Sequence, residues 1–359
     1  MIIHPPGCRQ GTEDADEGGV LVSEAEHSRT KARMTGVKAL AAALAMAAAG
    51  GAVWFGFAGG TATGDDLGDG CRGSLAVEEA RTFFGGAELE ARGHTGKWVG
   101  YDTEWCSVTA RGQDSGPTLR LQIRPVAAHR ASDAAEEASA TPIGYGWNGS
   151  FVGRSRPEAA VLVDCAALPG KGLLILTEAT AKTEDLTRTQ LLQVARLATG
   201  TARTAAGRFH CEGPLGTRPS GVDLSGWRDV PPARATGTCR DVVSAATAAR
   251  LGVTAVSEKP AGRALTEACA LKRGAKTVAD LTAYYGASAE QEMYLDGRYP
   301  GSVKGATTRT LACKGALGTA YVKLVGPSGG GPWDLRPADV QELLGRFAAT
   351  STARHGCPA

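Results

Sequence analysis

Two stretches decide the fold: CRGSLAVEEARTFF at residues 71–84 and CRDVVSAATAARLG at residues 239–252. Each opens on Cys-Arg and runs into a helix-like segment, and the segments downstream of the first recur downstream of the second in the same order. WCSV at 105–108 matches ACAL at 268–271, and WNGSFVG at 147–153 matches YPGSVKG at 299–305. AAVLVDC, ending at Cys165, matches TRTLAC, ending at Cys313, and a further β-like run comes next in each, LLILTEA from Leu173 and AYVKLVG from Ala320. Both series close on a long helix and a cysteine, at Cys211 and Cys357. Matched features kept in order are the mark of an internal repeat. The expectation is two tandem copies of one domain, 71–213 and 239–357, joined by a Pro- and Gly-rich linker at 214–238.

Within a copy the coarse order is helix, hairpin, helix, hairpin, helix. Thr118–Val126 (TLRLQIRPV) alternates apolar with polar residues as a half-buried strand does. Val161, Val163 and Cys165 share one strand face, as do Cys106 and Val108. Gln190, Arg196 and Arg203 interrupt Leu191, Leu192, Val194, Ala195 and Ala198 at helical spacing. The predicted class is α+β: a mainly antiparallel sheet in each copy, covered by helices on one side.

Outward from the repeat, VKALAAALAMAAAGGAVWFGFA at 37–58 carries no charge after Lys38. At about 1.5 Å per residue it spans about 30 Å, enough for a bilayer core. Arg29, Lys31, Arg33 and Lys38 precede or open it and Asp65, Asp66 and Asp69 lie beyond it, which predicts a cytoplasmic N-terminus and an extracytoplasmic C-terminal region at the cell membrane. Trp54 and Phe55 read as interface anchors. The rivals are a buried soluble helix and a secretory leader cleaved near Ala62. Residues 1–36 read as a disordered cytoplasmic tail and 59–70 as a spacer.

The chain has 359 residues and a formal charge of +2, so nothing in its charge calls for nucleic acid. Of nine cysteines, Cys8 precedes the apolar stretch, and Cys71, Cys106, Cys165, Cys211, Cys239, Cys269, Cys313 and Cys357 come after it. Eight in an exported region predict four disulfides, paired within each copy; four cysteines allow three pairings, which spacing leaves open. No CxxC occurs, and neither a metal nor a cofactor is expected.

No catalytic residue is singled out. The segment YVKLVGPSGGGPWDLRPADVQELL at 321–344 lacks GK[ST] and GxGxxG, and GxSxG is absent. Ser150 and Ser302 lie in matching Gly-Ser turns, and His94, Asp102 and Glu104 read as a solvated loop. The binding candidates are the aromatics around those turns: Tyr145, Trp147 and Phe151 in one copy, Tyr294 and Tyr299 in the other.

The cysteine layout resembles the actinobacterial exported four-cysteine lipoprotein domain of unknown function. The residues that carry this are Cys71 with Leu75, Trp105-Cys106, Gly149 with Cys165, and Cys211; then Cys239, Cys269, Gly301, Cys313 and Cys357. Two features depart from that pattern: an apolar span replaces the lipid-attachment cysteine, and the fourth cysteine lies after the last helix. The resemblance implies a helix-on-sheet envelope protein without established catalytic residues. The expected function is a membrane-anchored binding or cell-envelope protein with an envelope ligand or a membrane-protein partner; the alternative is an exported hydrolase with a site between the copies.

Overall fold

A computed structural model describes residues 61–98, 100–113, 116–127, 140–153, 156–180, 186–298, 307–326 and 335–358. The apolar stretch at 37–58 lies outside these; among the described residues no helix is long and apolar enough to cross a membrane. The class is α+β, with two antiparallel sheets and five α-helices among the described residues.

The first sheet contains β1 (Thr61–Thr63), β2 (Leu89–Trp98), β3 (Tyr101–Ala110), β4 (Thr118–Pro125), β5 (Thr141–Pro142), β6 (Asn148–Val152), β7 (Glu158–Asp164) and β8 (Gly172–Thr180), in the order β1-β2-β3-β4-β8-β7-β6-β5. The second contains β9 (Arg228–Val230), β10 (Ala255–Glu258), β11 (Thr266–Arg273), β12 (Lys276–Tyr285), β13 (Thr307–Ala312) and β14 (Thr319–Val325), in the order β13-β14-β12-β11-β10-β9. The run β2-β3-β4-β8-β7 therefore has the same connectivity as β10-β11-β12-β14-β13. In each, a hairpin and a third strand are joined by the last strand, which inserts beside the third.

The disulfides obey this correspondence. Cys71–Cys106 and Cys239–Cys269 each tie the lead-in of the opening helix to the second of the five strands. Cys165–Cys211 and Cys313–Cys357 each tie the end of the fourth strand to the chain leaving the last helix. Sequence separations of 30 to 46 residues correspond to about 3.5–4 kcal/mol per bridge on the chain-entropy model.

Local sequence explains the helices. α1 (Val77–Phe83) has Glu78 and Glu79 in its first turn, where the helix dipole favours negative charge. α2 (Arg188–Arg208) starts on a capping box between Thr187 and Gln190. α3 (Ala245–Leu251) is capped by Ser244 and ends on left-handed Gly252. α4 (Ala287–Arg298) comes after β12, and α5 (Pro337–Arg354) has proline in its first turn.

The sheets are covered more fully than a one-sided reading allows. In β7, Ala159, Val161 and Val163 join the core under α1 and α2, while Ala160 and Leu162 join a second core that includes Leu271, Leu281, Tyr285, Val322 and Phe347. In β8, Leu173 and Ile175 go one way and Leu174 and Leu176 the other. AVLV and LLIL are unbroken apolar runs, as strands buried on both faces require. The second sheet has the α5 face on one side and α4 on the other, where Tyr321 donates to Asp296 (2.7 Å) and Lys323 meets Glu292 (3.1 Å) and Asp296 (2.9 Å).

Polar contacts accompany the shared core. The Leu265 amide donates to Ser150 Oγ (2.8 Å), the Gly149 amide to the Arg263 carbonyl (2.8 Å), and the Ala316 amide to Asp164 Oδ1 (2.7 Å). At Gly286, φ is +59° and an added Cβ would lie 3.1 Å from Leu162, so both backbone hand and close approach favour glycine.

Two segments read as connectors are structured. β1 pairs with β2 and leads into a 3₁₀ turn at Gly64–Cys71 with Leu67 buried, within the expected spacer. Arg228–Val230, within the expected linker, forms an edge strand on β10.

Candidate binding groove

The polar face of α2 carries Arg196 and Arg203 seven residues apart, which places them on one side of the helix about 10 Å apart along its axis. Gly200 lies between them. A Cβ there would sit 2.7 Å from that of Ala76, so glycine lets the start of α1 cross close to α2. The two helices and the chain at 214–221 enclose a groove of about 370 Å³, walled by Leu75, Val77, Glu79, Trp147, Arg203 and Arg218 among others. That volume is in the range of small-molecule sites, about 300–1,000 Å³.

The segment 214–221 crosses the groove as a strap, and most of its fastenings are arginines or the aromatic loop. Arg196 Nε donates to the Pro219 carbonyl (2.8 Å), and Arg203 Nη2 to the Gly216 carbonyl (2.6 Å). Arg218 forms a two-pronged pair with Glu79 (2.6 and 3.0 Å), the bidentate geometry that suits guanidinium and carboxylate. This hydrogen bond raises the Arg218 pKa above its ordinary value. The Gln193 amide, oriented by its neighbours, donates to Glu79 (2.8 Å) and accepts from Arg196 Nη1 (3.2 Å). Trp147 Nε1 donates to the Thr217 carbonyl (2.8 Å), and the Arg203 guanidinium lies 5.8 Å over the Trp147 ring.

The aromatic candidates occupy different settings. Trp147 and Phe151 are 2% and 1% exposed. Both are core residues: Trp147, in the turn before β6, lends an edge to the wall of the α1–α2 groove, whereas Phe151 borders a separate concavity beside Leu224 and Trp227. Phe151 lies in β6, whose residues 149–152 are all buried. Tyr145 is 38% exposed, takes a left-handed backbone (φ +56°) and bonds Ser220 through its hydroxyl (2.8 Å). That hydrogen bond, aided by the charge of Arg196, lowers the phenol pKa. Tyr294 is 57% exposed on α4, and Tyr299 lies outside the described residues. The Tyr145–Trp147 loop is thus a dock for the strap.

The other polar candidates have structural roles. His94, Asp102 and Glu104 belong to the β2–β3 hairpin and not to a loop. His94 stacks on Trp105, whereas Glu104 faces the opposite way onto Arg208. Ser150 is fully buried and accepts the Leu265 amide; Ser302 lies outside the described residues. Among the described residues no group of three or more His, Cys, Asp or Glu side chains is placed to hold a metal.

A second polar cluster is sealed in the interior. Ser351 Oγ donates to Glu267 Oε2 (2.7 Å) and meets the Tyr285 hydroxyl (2.5 Å), Arg354 pairs with Glu267, and His355 stacks on Tyr285. Burial, with the Glu267 charge, pushes the Tyr285 phenol well above its ordinary value. Glu267, Ser351 and Tyr285 are at most 2% exposed, so this cluster fixes α5 to the second sheet and offers a substrate no access.

Sequence reasoning passed over Arg196, Arg203, Arg218 and Glu79. The available signal was Arg-x₃-Gly-x₂-Arg on one helical face, read there only as the polar side of an amphipathic helix. No family model, curated protein or solved structure matches the chain.

Proposed function

We propose that this protein is an extracytoplasmic binding protein of the cell envelope, held at the membrane by residues 37–58, with its ligand site in the α1–α2 groove. One observation carries the site: Arg196 and Arg203 face a groove of ligand size, and among the described residues neither has a carboxylate partner, while Arg218 beside them is neutralised by Glu79. A guanidinium left without a counter-ion at the mouth of a mostly apolar concavity suits recognition better than stability. The four disulfides support the oxidising side of the membrane. The matched strand orders support descent of both halves from one duplicated domain, and the groove is built from the first half and the connector that follows it.

The test is recovery of a bound molecule. The full chain is extracted from host membranes in detergent, and native mass spectrometry compares it with Thr204→Trp, which fills the rim from an exposed position. The expected result is a stoichiometric small molecule on the wild type that is lost in the variant. Equal occupancy of both proteins, or of neither, counts against the groove as the site.

A further inference from the structure

The chemistry of the groove specifies a ligand class, an inference that rests on the groove being the binding site. We infer that it takes an amphiphilic oxyanion: a carboxylate or phosphate head between Arg196 and Arg203, with an aliphatic body along Leu75, Val77 and Trp147.

The head group is dictated by donors left over. A guanidinium has five N–H groups. Arg203 gives one to the Gly216 carbonyl; Arg196 gives one to Pro219 and one to Gln193. Four and three remain, on two cations whose protein partners are uncharged. Glu79 is bound to Arg218, and Glu78, 86% exposed, is paired with Arg81 (3.0 Å) and turned outward. With Glu79 bound to Arg218 and Glu78 to Arg81, the two positive charges of Arg196 and Arg203 remain uncompensated in the lining. Oxyanions accept two parallel N–H bonds from a guanidinium, so head-group geometry and net charge agree.

The body is dictated by the rest of the lining. Leu75, Ala76, Val77, Gly200 and the Trp147 edge supply apolar surface, and the Thr204 hydroxyl is engaged with the Gly200 carbonyl (3.1 Å). A free inorganic anion leaves that surface wet, and a neutral alkyl chain leaves the arginines without a counter-ion. A molecule with both parts satisfies both.

The experiment uses the full chain in phosphatidylcholine nanodiscs, titrated calorimetrically with octanoate, octyl phosphate, octanol and inorganic phosphate; protein-free nanodiscs control for partitioning. The expected result is that one or both octyl anions bind at least tenfold more tightly than octanol and than inorganic phosphate. A preference between the two separates a carboxylate from a phosphate source. The double variant Arg196→Gln, Arg203→Gln should lose tenfold or more for the anions with octanol unchanged. The corresponding double Lys variant should lose clearly less than the Gln pair, since charge is kept while the two-pronged guanidinium geometry is not, and a loosened strap affects both variants alike. Octanol or inorganic phosphate binding as tightly as the tighter octyl anion, or equal losses in the Gln and Lys variants, each overturn the inference. If no probe binds while the native protein still carries a molecule that Thr204→Trp displaces, the class is wrong and the groove stands; if neither is seen, both fail.

Discussion

Leu162→Ala perturbs the core that joins the two halves. Leu162 is 4% exposed in β7, and its side chain faces Gly286, in the turn between β12 and α4. Removing three methylene equivalents forfeits about 2.4 kcal/mol at about 0.8 kcal/mol each. A residual cavity adds to this, and buried Leu→Ala changes cost about 2–5 kcal/mol in general, so about 3 kcal/mol is expected here. The assay is hydrogen exchange by mass spectrometry, which reads first-half strand β7 and second-half strand β12 separately. If the halves unfold as one unit, protection falls in both by the same roughly hundredfold factor, the equivalent of about 3 kcal/mol. A loss confined to the first half, with residues 276–285 protected as in wild type, refutes a cooperative shared core.

The same geometry sets other outcomes. Glu267→Ala leaves Arg354 and Ser351 without their partner in a sealed site and should cost about 3–5 kcal/mol by urea titration; a change below about 1 kcal/mol contradicts the role given to that cluster. Asp339 is held far below the usual carboxylate range by Arg336 and Arg250, Glu342 is lowered by Thr247 and Arg250, and Asp229 by Lys272. Depressed folded-state values mean that this stability is complete above the unfolded values of about 4 and is lost as pH falls through the folded ones, so the urea midpoint should drop between about pH 5 and pH 2, and less so in Asp339→Asn. Burial pushes the Asp280 carboxyl upward, the opposite sign, so Asp280→Asn should raise the melting temperature at about pH 7 and lose that advantage below about pH 4; an unchanged or lowered melting temperature at neutral pH contradicts it. Replacing Cys165 and Cys211 together by serine should cost about 4 kcal/mol on the chain-entropy model and sharply lower the urea midpoint.

The parts of the fold legible in the sequence were those that local pattern dictates. The alternation in TLRLQIRPV is β4, the amphipathic run after Thr187 is α2, and the order of cysteines set four disulfides within their halves. The features that escaped depend on distant partners. Thr61–Thr63 has no hydrophobic pattern and becomes a strand because β2 offers it an edge; Arg228–Val230 does the same on β10. His94 to Glu104 looks polar enough for a loop, yet backbone pairing and the His94–Trp105 stack hold it as a hairpin. The groove was harder still to foresee, because Arg196, Arg203, Glu79 and Arg218 come from three segments that only the packing of α1 on α2, and of the strap across both, brings together.

The oxidation state and pairing of the cysteines in the native protein bear most directly on the proposal that this doubly braced fold works outside the cytoplasm. Host cells are lysed into a thiol-blocking reagent, and the full chain is denatured without reductant, weighed intact and mapped by peptide mass. The expected result is a single blocked thiol, Cys8, and the bridges Cys71–Cys106, Cys165–Cys211, Cys239–Cys269 and Cys313–Cys357. Several blocked thiols downstream of residue 58, or bridges that cross between the halves, contradict an oxidised, doubly braced protein outside the cytoplasm.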